Sequence, residues 1–123
     1  MAKKNEKDLL EEYEGQLAVD VIETNDTVIL RAPVAGVTND DLEIAITDEV
    51  INIKGERHEV RDESTEKYFA QECYWGKFSR SFILPVTVQA EKAEAQLKNG
   101  ILTIKIPKLA KTKTKMVEVK EVE

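Results

Sequence analysis

AEAQLKNGILTIKIPK occupies residues 93–108, and its second half alternates strictly. Ile101, Thr103 and Lys105 fall on one side of an extended chain, and Leu102, Ile104 and Ile106 on the other. Pro107 stops that strand, because it has no N–H to give to a ladder. The first half is ambiguous by itself. Its alanines, glutamates and lysines have the propensity of a short helix, with Gly100 at the turn that follows.

The same period of two recurs upstream. From Gln16, Leu17, Val19 and Val21 alternate with Ala18, Asp20 and Ile22, then TNDT makes a turn and VILRA a second strand. PVAGVTND reads as a loop. In DLEIAIT, Leu42, Ile44 and Ile46 share one face, opposite Glu43 and Ala45. After a turn at Asp48 and Glu49, VINIKGE sets Ile51 and Ile53 against Val50, Asn52 and Lys54. Residues 57–67 are a charged run without periodicity, read as an excursion. YFAQECYW and GKFSRSFILP are two further strand candidates, the second ended by Pro85. Seven to nine short, regularly spaced strands predict an all-β fold, an immunoglobulin-like antiparallel β-sandwich.

The termini are different. Residues 1–15 form a short charged N-terminal arm, either a frayed tail or about two turns of helix with Leu9, Leu10 and Tyr13 on one side. Residues 16–108 are the sandwich domain, and 109–123 a flexible C-terminal extension. In the extension a lysine-rich linker, KLAKTKTK, delivers Val117 and Val119 on one face of an extended tail, with Glu118 between them.

The 123 residues are the size of one domain, long enough to bury roughly two thirds of the unfolded surface. A net charge of −6 argues against nucleic acid as a partner. No stretch approaches the roughly 18 apolar residues of a membrane-spanning helix, and the charged start is no signal peptide. The single cysteine, Cys73, permits no internal disulfide, which fits a cytoplasmic location.

Catalysis needs converging titratable groups, and the sequence offers none. His58, the one histidine, sits in the charged run, and Cys73 has no base near it in sequence. There is no CxxC or HExxH for a metal, and no glycine-rich loop for a phosphate, so neither cofactor nor metal is expected. The acids at 40–41, 48–49 and 62–63 are turn or solvated-face residues. Lys105, Lys108, Lys111, Lys113 and Lys115 lack interleaved aromatics and precede a run of glutamates, so they read as part of a solvated linker.

In residues 93–108, Ala95, Leu97, Asn99, Gly100, Ile101, Leu102, Pro107 and Lys108 resemble the signature of the small heat-shock protein, or α-crystallin, family of bacterial and archaeal type. The stretch from Ala18 to Glu59 is similar to that family's opening hairpin and its next two strands, and GKFSRSFILP to the strand carrying its characteristic arginine, here Arg80. The resemblance covers Leu17 to Val119. It implies that AEAQLK is an edge strand, not a helix, and that the long stretch between Glu56 and Gly76 carries a strand exchanged between dimer partners. The chain departs from the family pattern in its short, charged N-terminal arm and in having Val-Glu-Val where Ile-x-Ile is more common.

The function that follows from the resemblance is an ATP-independent chaperone, not an enzyme, that holds unfolding client proteins and forms dimers and higher homo-oligomers. Leu42, Ile44 and Ile46 on one sheet edge, and Ala93, Ala95 and Leu97 on the other, would form a groove for Val117 and Val119 of a neighbour. Tyr68, Phe69 and Ala70 would pair with the partner's Leu17–Val21 edge, including Val19, with Trp75 and Arg80 at the same interface. Tyr74 and Trp75 serve either as dimer anchors or as a local core. The alternative is a sandwich module binding one defined folded partner, which would need neither the long excursion nor the valine tail.

Overall fold

Alternation along each strand sends one row of aliphatic side chains inward, and two such sheets close on each other. The structure is a computed structural model and describes residues 15–59, 67–109 and 115–123. Its strands are β1 (Gly15–Gln16), β2 (Asp20–Glu23), β3 (Thr27–Pro33), β4 (Leu42–Ile46), β5 (Val50–Arg57), β6 (Gly76–Ile83), β7 (Glu94–Lys98) and β8 (Ile101–Pro107). One sheet has the order β1-β6-β5-β4 and the other β2-β3-β8-β7. Every pairing is antiparallel except the short one of β1 with β6. This is the expected all-β sandwich.

The core comes from the central strands. Val28, Leu30 and Ala32 of β3 and Leu102, Ile104 and Ile106 of β8 meet Ile51 and Ile53 of β5 and Phe78 of β6. Val34, Leu84 and Val88 complete it from the connections. Each buried aliphatic side chain contributes about 1.5–3 kcal/mol relative to exposure. The β7–β8 hairpin turns through Asn99 and Gly100 at φ 52° and 75°, with Lys98 paired to Ile101. Two successive positive φ values fit the twist of the flanking strands, which is why Asn-Gly stands there. The helical propensity of residues 90–98 survives only as a 3-10 turn at Ala90–Lys92; the rest is β7, as the resemblance implied, because pairing with β8 outweighs propensity.

Three expectations need correction. The period-two run from Gln16 is not one strand. β1 lies in one sheet, β2 in the other, and Leu17 between them is buried at 7% exposure in this chain's own core. The Leu17 side chain thus belongs to this chain's own core, because a segment crossing between sheets packs its apolar side chain inside. YFAQECYW is not a strand: residues 67–75 form no ladder, and β1 occupies the edge of β6. A strand exists only through its pairing, and among the described residues none pairs with that segment. Finally, Lys108 belongs to no solvated linker. It is 1% exposed, its ammonium bonded to Glu23 Oε1, because Glu23 and the Asn25 carbonyl supply acceptors inside.

Candidate functional site

The sandwich has two sides, and they differ. Only three residues join β1 to β2, a span of about 14 Å at most, so these edge strands lie on the same side. The other two edges, β4 and β7, therefore share the opposite side.

On that side the inward rows are incompletely covered. Ile44 pairs with Ile53 and Ile46 with Ile51; the β5 partners are fully buried while Ile44 and Ile46 are half-buried. Leu42 continues the row opposite Gly55. Across the sandwich, Leu97 pairs with Leu102 and Ala95 with Ile104, again with buried partners. Ala93 and Leu97 are half-buried, and Ala95 is exposed although its register points it inward. The result is two partly covered aliphatic rows on the same side of the sandwich, small at Ala93 and Ala95, with the polar side chains of Glu43 on one strand and Glu94 and Gln96 on the other. All six residues named from the sequence are on these two strands or immediately beside them. A separate concavity of ≈ 430 Å³ opens along β7 and β8, bounded by Ala95 and the outward-facing Glu94, Gln96, Thr103 and Lys105, with no residue of β4 bounding it.

The tail is not packed on these rows. Residues 115–123 are extended without pairing, and Val117 and Val119 are 74% and 91% exposed, beside exposed Met116 and Val122. The chain thus presents two partly covered aliphatic rows and an exposed apolar tail.

The residues named for a dimer interface differ in their covering within one chain. Val19 and Val21 are half-buried against the core, while Tyr68, Phe69, Ala70 and Trp75 are exposed, Phe69 completely. Arg80 is half-buried; its Nη1 donates to the Leu17 carbonyl at 3.2 Å, and its Nε is buried without a partner. Tyr74 closes the excursion onto the domain: its hydroxyl donates to the Lys77 carbonyl and accepts from Gly15 N–H at 3.2 Å.

A second, polar depression of ≈ 530 Å³ lies around Asp41, Leu42, Lys54, Glu56, His58 and Lys77. Asp41 accepts from the Thr38 N–H at 3.0 Å and hydroxyl at 3.2 Å, and pairs with His58 Nε2 at 3.2 Å. The Thr38 backbone donor, chiefly, holds its carboxyl below the usual range, with the Thr38 hydroxyl and His58 adding to it. His58 is largely exposed, and its other nitrogen lies 3.9 Å from Glu56. Among the described residues no group of His, Cys, Asp or Glu is arranged to hold a metal. Among them, too, no helix is long and apolar enough to cross a membrane. The Thr38–Asp41 cap and the Lys108–Glu23 pair are the polar features the sequence reading missed. Thr-x-x-Asp was a visible signal for the first; nothing local marked the second, whose partners are 85 positions apart.

The family model described as Hsp20/alpha crystallin family matches residues 20–122. Spore protein SP21 of Stigmatella aurantiaca is 35% identical over 83% of this chain and 60% of its own length. Small heat shock protein C2 of Rickettsia felis is 36% identical over 82% of this chain and 66% of its own. The chain thus spans less than two thirds of these relatives. Among solved structures, heat shock protein 16.0 from Schizosaccharomyces pombe superposes with a TM-score of 0.71 at 28% identity, covering 88% of this chain and all of that one. A small heat-shock protein from Xylella fastidiosa gives 0.68 at 31% identity, covering 85% and 96%. The family match takes in β2 to β8, with the aliphatic rows on β4 and β7, and most of the tail, and the chain belongs to the Hsp20/alpha crystallin family.

Proposed function

We propose that the protein is a chaperone that holds unfolding chains without ATP and is not an enzyme. The observation that carries this reading is the uncovered inner row on both edge strands, Ile44 and Ile46 on β4 and Ala95 and Leu97 on β7, in a chain that also exposes Val117 and Val119. An extended apolar segment fits such a slot, whether it is a neighbour's tail or a client.

Magnitudes set the behaviour. Two buried valines stabilise by about 3–6 kcal/mol before losses. Ordering the tail costs about 1–2 kcal/mol per residue. Each docked tail is therefore weak and reversible, and an assembly holds through several at once. Subunits that exchange expose slots, and a slot occupied by a client segment competes with aggregation.

The unit of assembly is a dimer formed by exchange of the 57–75 excursion, whose exposed Tyr68, Phe69 and Ala70 lie down on the partner's β2 edge. The register of that edge is Asp20–Glu23. Exchange covers an open edge and gives Tyr68, Phe69 and Ala70 a ladder, which they lack among the described residues. The 16–108 sandwich acts between a short arm at 1–15 and an extension at 109–123, and the whole works in the cytoplasm. The relative from Xylella fastidiosa, described as having a distinct high order structure, supports assembly beyond the dimer.

Light scattering of a heat-labile client tests the reading. Suppression of aggregation in the absence of ATP, unchanged by adding it, is the expected outcome. No suppression of several unrelated clients, with tight binding to one folded protein, would replace it with the single-partner reading.

A further inference from the structure

A buried charge stands where the chain leaves the sandwich. Lys108 is the one buried charged residue among the described residues. Its ammonium donates to Glu23 and, at 3.5 Å, to the Asn25 carbonyl. Its own N–H donates to the Asp26 carbonyl at 2.9 Å, and its carbonyl accepts from Gln89 Nε2 at 2.9 Å. The neighbours are held too: Gln89 N–H donates to Pro107 at 2.8 Å, and Leu109 N–H to Thr87 at 3.2 Å. Residues 107–109 are thus clamped between the β2–β3 turn and the segment 87–89.

An ion pair with a fully buried ammonium is a poor source of stability, because the cost of taking that charge out of water offsets much of the attraction; an apolar side chain of similar length fills such a site as well. What the lysine adds is direction, since its ammonium ties the end of β8 to the end of β2 and the turn after it, beside the main-chain bonds to 87–89. Its carboxylate partner is at a telling place. Glu23 ends β2, the edge strand with no neighbour on its outer side, and remains 46% exposed.

We propose that Lys108 is a positioning residue that sets the direction in which the C-terminal extension leaves and couples that exit to the β2 edge. A strand laid on β2 covers Glu23, removes water from the pair and tightens the clamp; a loosened clamp weakens the edge by the same coupling. This rests on the assembly reading above, in which β2 receives a partner's strand and the extension a neighbour's slot.

The full-length chain and its Lys108→Met, Glu23→Gln and Ile53→Val variants test it, the last truncating the core away from the clamp. Two quantities are read: hydrogen exchange at the Leu109 amide, and the rate at which labelled subunits mix. Lys108→Met and Glu23→Gln should each raise Leu109 exchange by about tenfold or more and speed mixing, while Ile53→Val moves neither comparably. Unchanged Leu109 protection overturns the clamp. Looser Leu109 with wild-type mixing overturns the coupling, and equal effects from Ile53→Val reduce both to general stability. Should Lys108→Met not fold, Glu23→Gln decides alone, since half-exposed Glu23 tolerates the amide. A wild type that is monomeric would sink the assembly reading and with it the coupling, while Leu109 exchange still judges the clamp.

Discussion

Gly55 of β5 and Phe78 of β6 are register partners, and the phenyl ring occupies the place a side chain at 55 would need. A Cβ there would stand 2.5 Å from Phe78 Cζ and 3.0 Å from Leu42 Cδ2. The missing side chain lets the ring lie flat across the sheet, where the Arg57 guanidinium stacks over it at 5.5 Å.

Gly55→Ala should therefore destabilise by overpacking, by about 1–3 kcal/mol. Because Leu42 heads the groove row, the same change should also disturb the β4 wall. Thermal unfolding reads the first effect, and chemical-shift changes at Leu42 and Ile44 the second. A variant as stable as wild type would show that the ring has room to move.

The Thr38–Asp41 cap gives stability a pH dependence with a definite sign. The carboxyl is held below its ordinary value of 3.8, mainly by the Thr38 N–H. A depressed carboxylate contributes in full above that value, and the contribution is lost as pH falls through the lower, folded one. Asp41→Asn should thus melt below wild type at pH 7, and the gap should close on acidification past pH ~4. A gap that widens in acid would contradict the assignment.

Replacing Val117 and Val119 together by glutamate puts charge into an apolar slot, so tails should detach and native mass spectra should shift to dimers. Replacing both by isoleucine adds a methylene each, about 0.8 kcal/mol apiece, for roughly tenfold tighter docking and slower subunit exchange. An unchanged assembly in the glutamate variant would mean that the tail does not dock. Weaker assembly with isoleucine would mean that the slot at Ala93 and Ala95 has no space left.

Deleting 61–69 removes Phe69 and most of the exchangeable segment while leaving every strand of the sandwich in place. Folded monomers are expected by sedimentation, with the far-ultraviolet signature of the sheets retained. A deletion variant that still sediments as a dimer would place the interface elsewhere.

The sequence displayed the sandwich wherever strands are half-covered. The rows Leu42–Ile46, Ile51–Ile53 and Leu102–Ile106 alternate because one face meets the core, and period two is visible without a partner. It misled at Leu17, where the alternation of a crossing segment imitates a strand. At Tyr68–Trp75, aromatic content imitates one too, but a ladder is a property of two segments and not of one. Lys108 was hidden for a related reason: a lysine beside other lysines looks solvated until Glu23 is folded against it. For the proposed groove, the apolar rows on β4 and β7 were legible. Their incomplete covering was not, since exposure at Ala95 depends on what fails to lie across from it.

The slot's walls each hang from a single neighbour, β4 from β5 and β7 from β8, whereas β3, β5 and β8 are held on both flanks. Strands held along one side fray before those held along two, because fewer bonds must open to release them. Warming therefore loosens the two jaws ahead of the core between them. On the chaperone reading proposed above, the temperature that begins to unravel other proteins also widens the opening offered to their strands, a thermometer written in the hydrogen-bond pattern. Amide exchange on a heating ramp would show it as early release at Ile44 and Ala95, with Leu30, Ile53 and Ile104 following only at global unfolding.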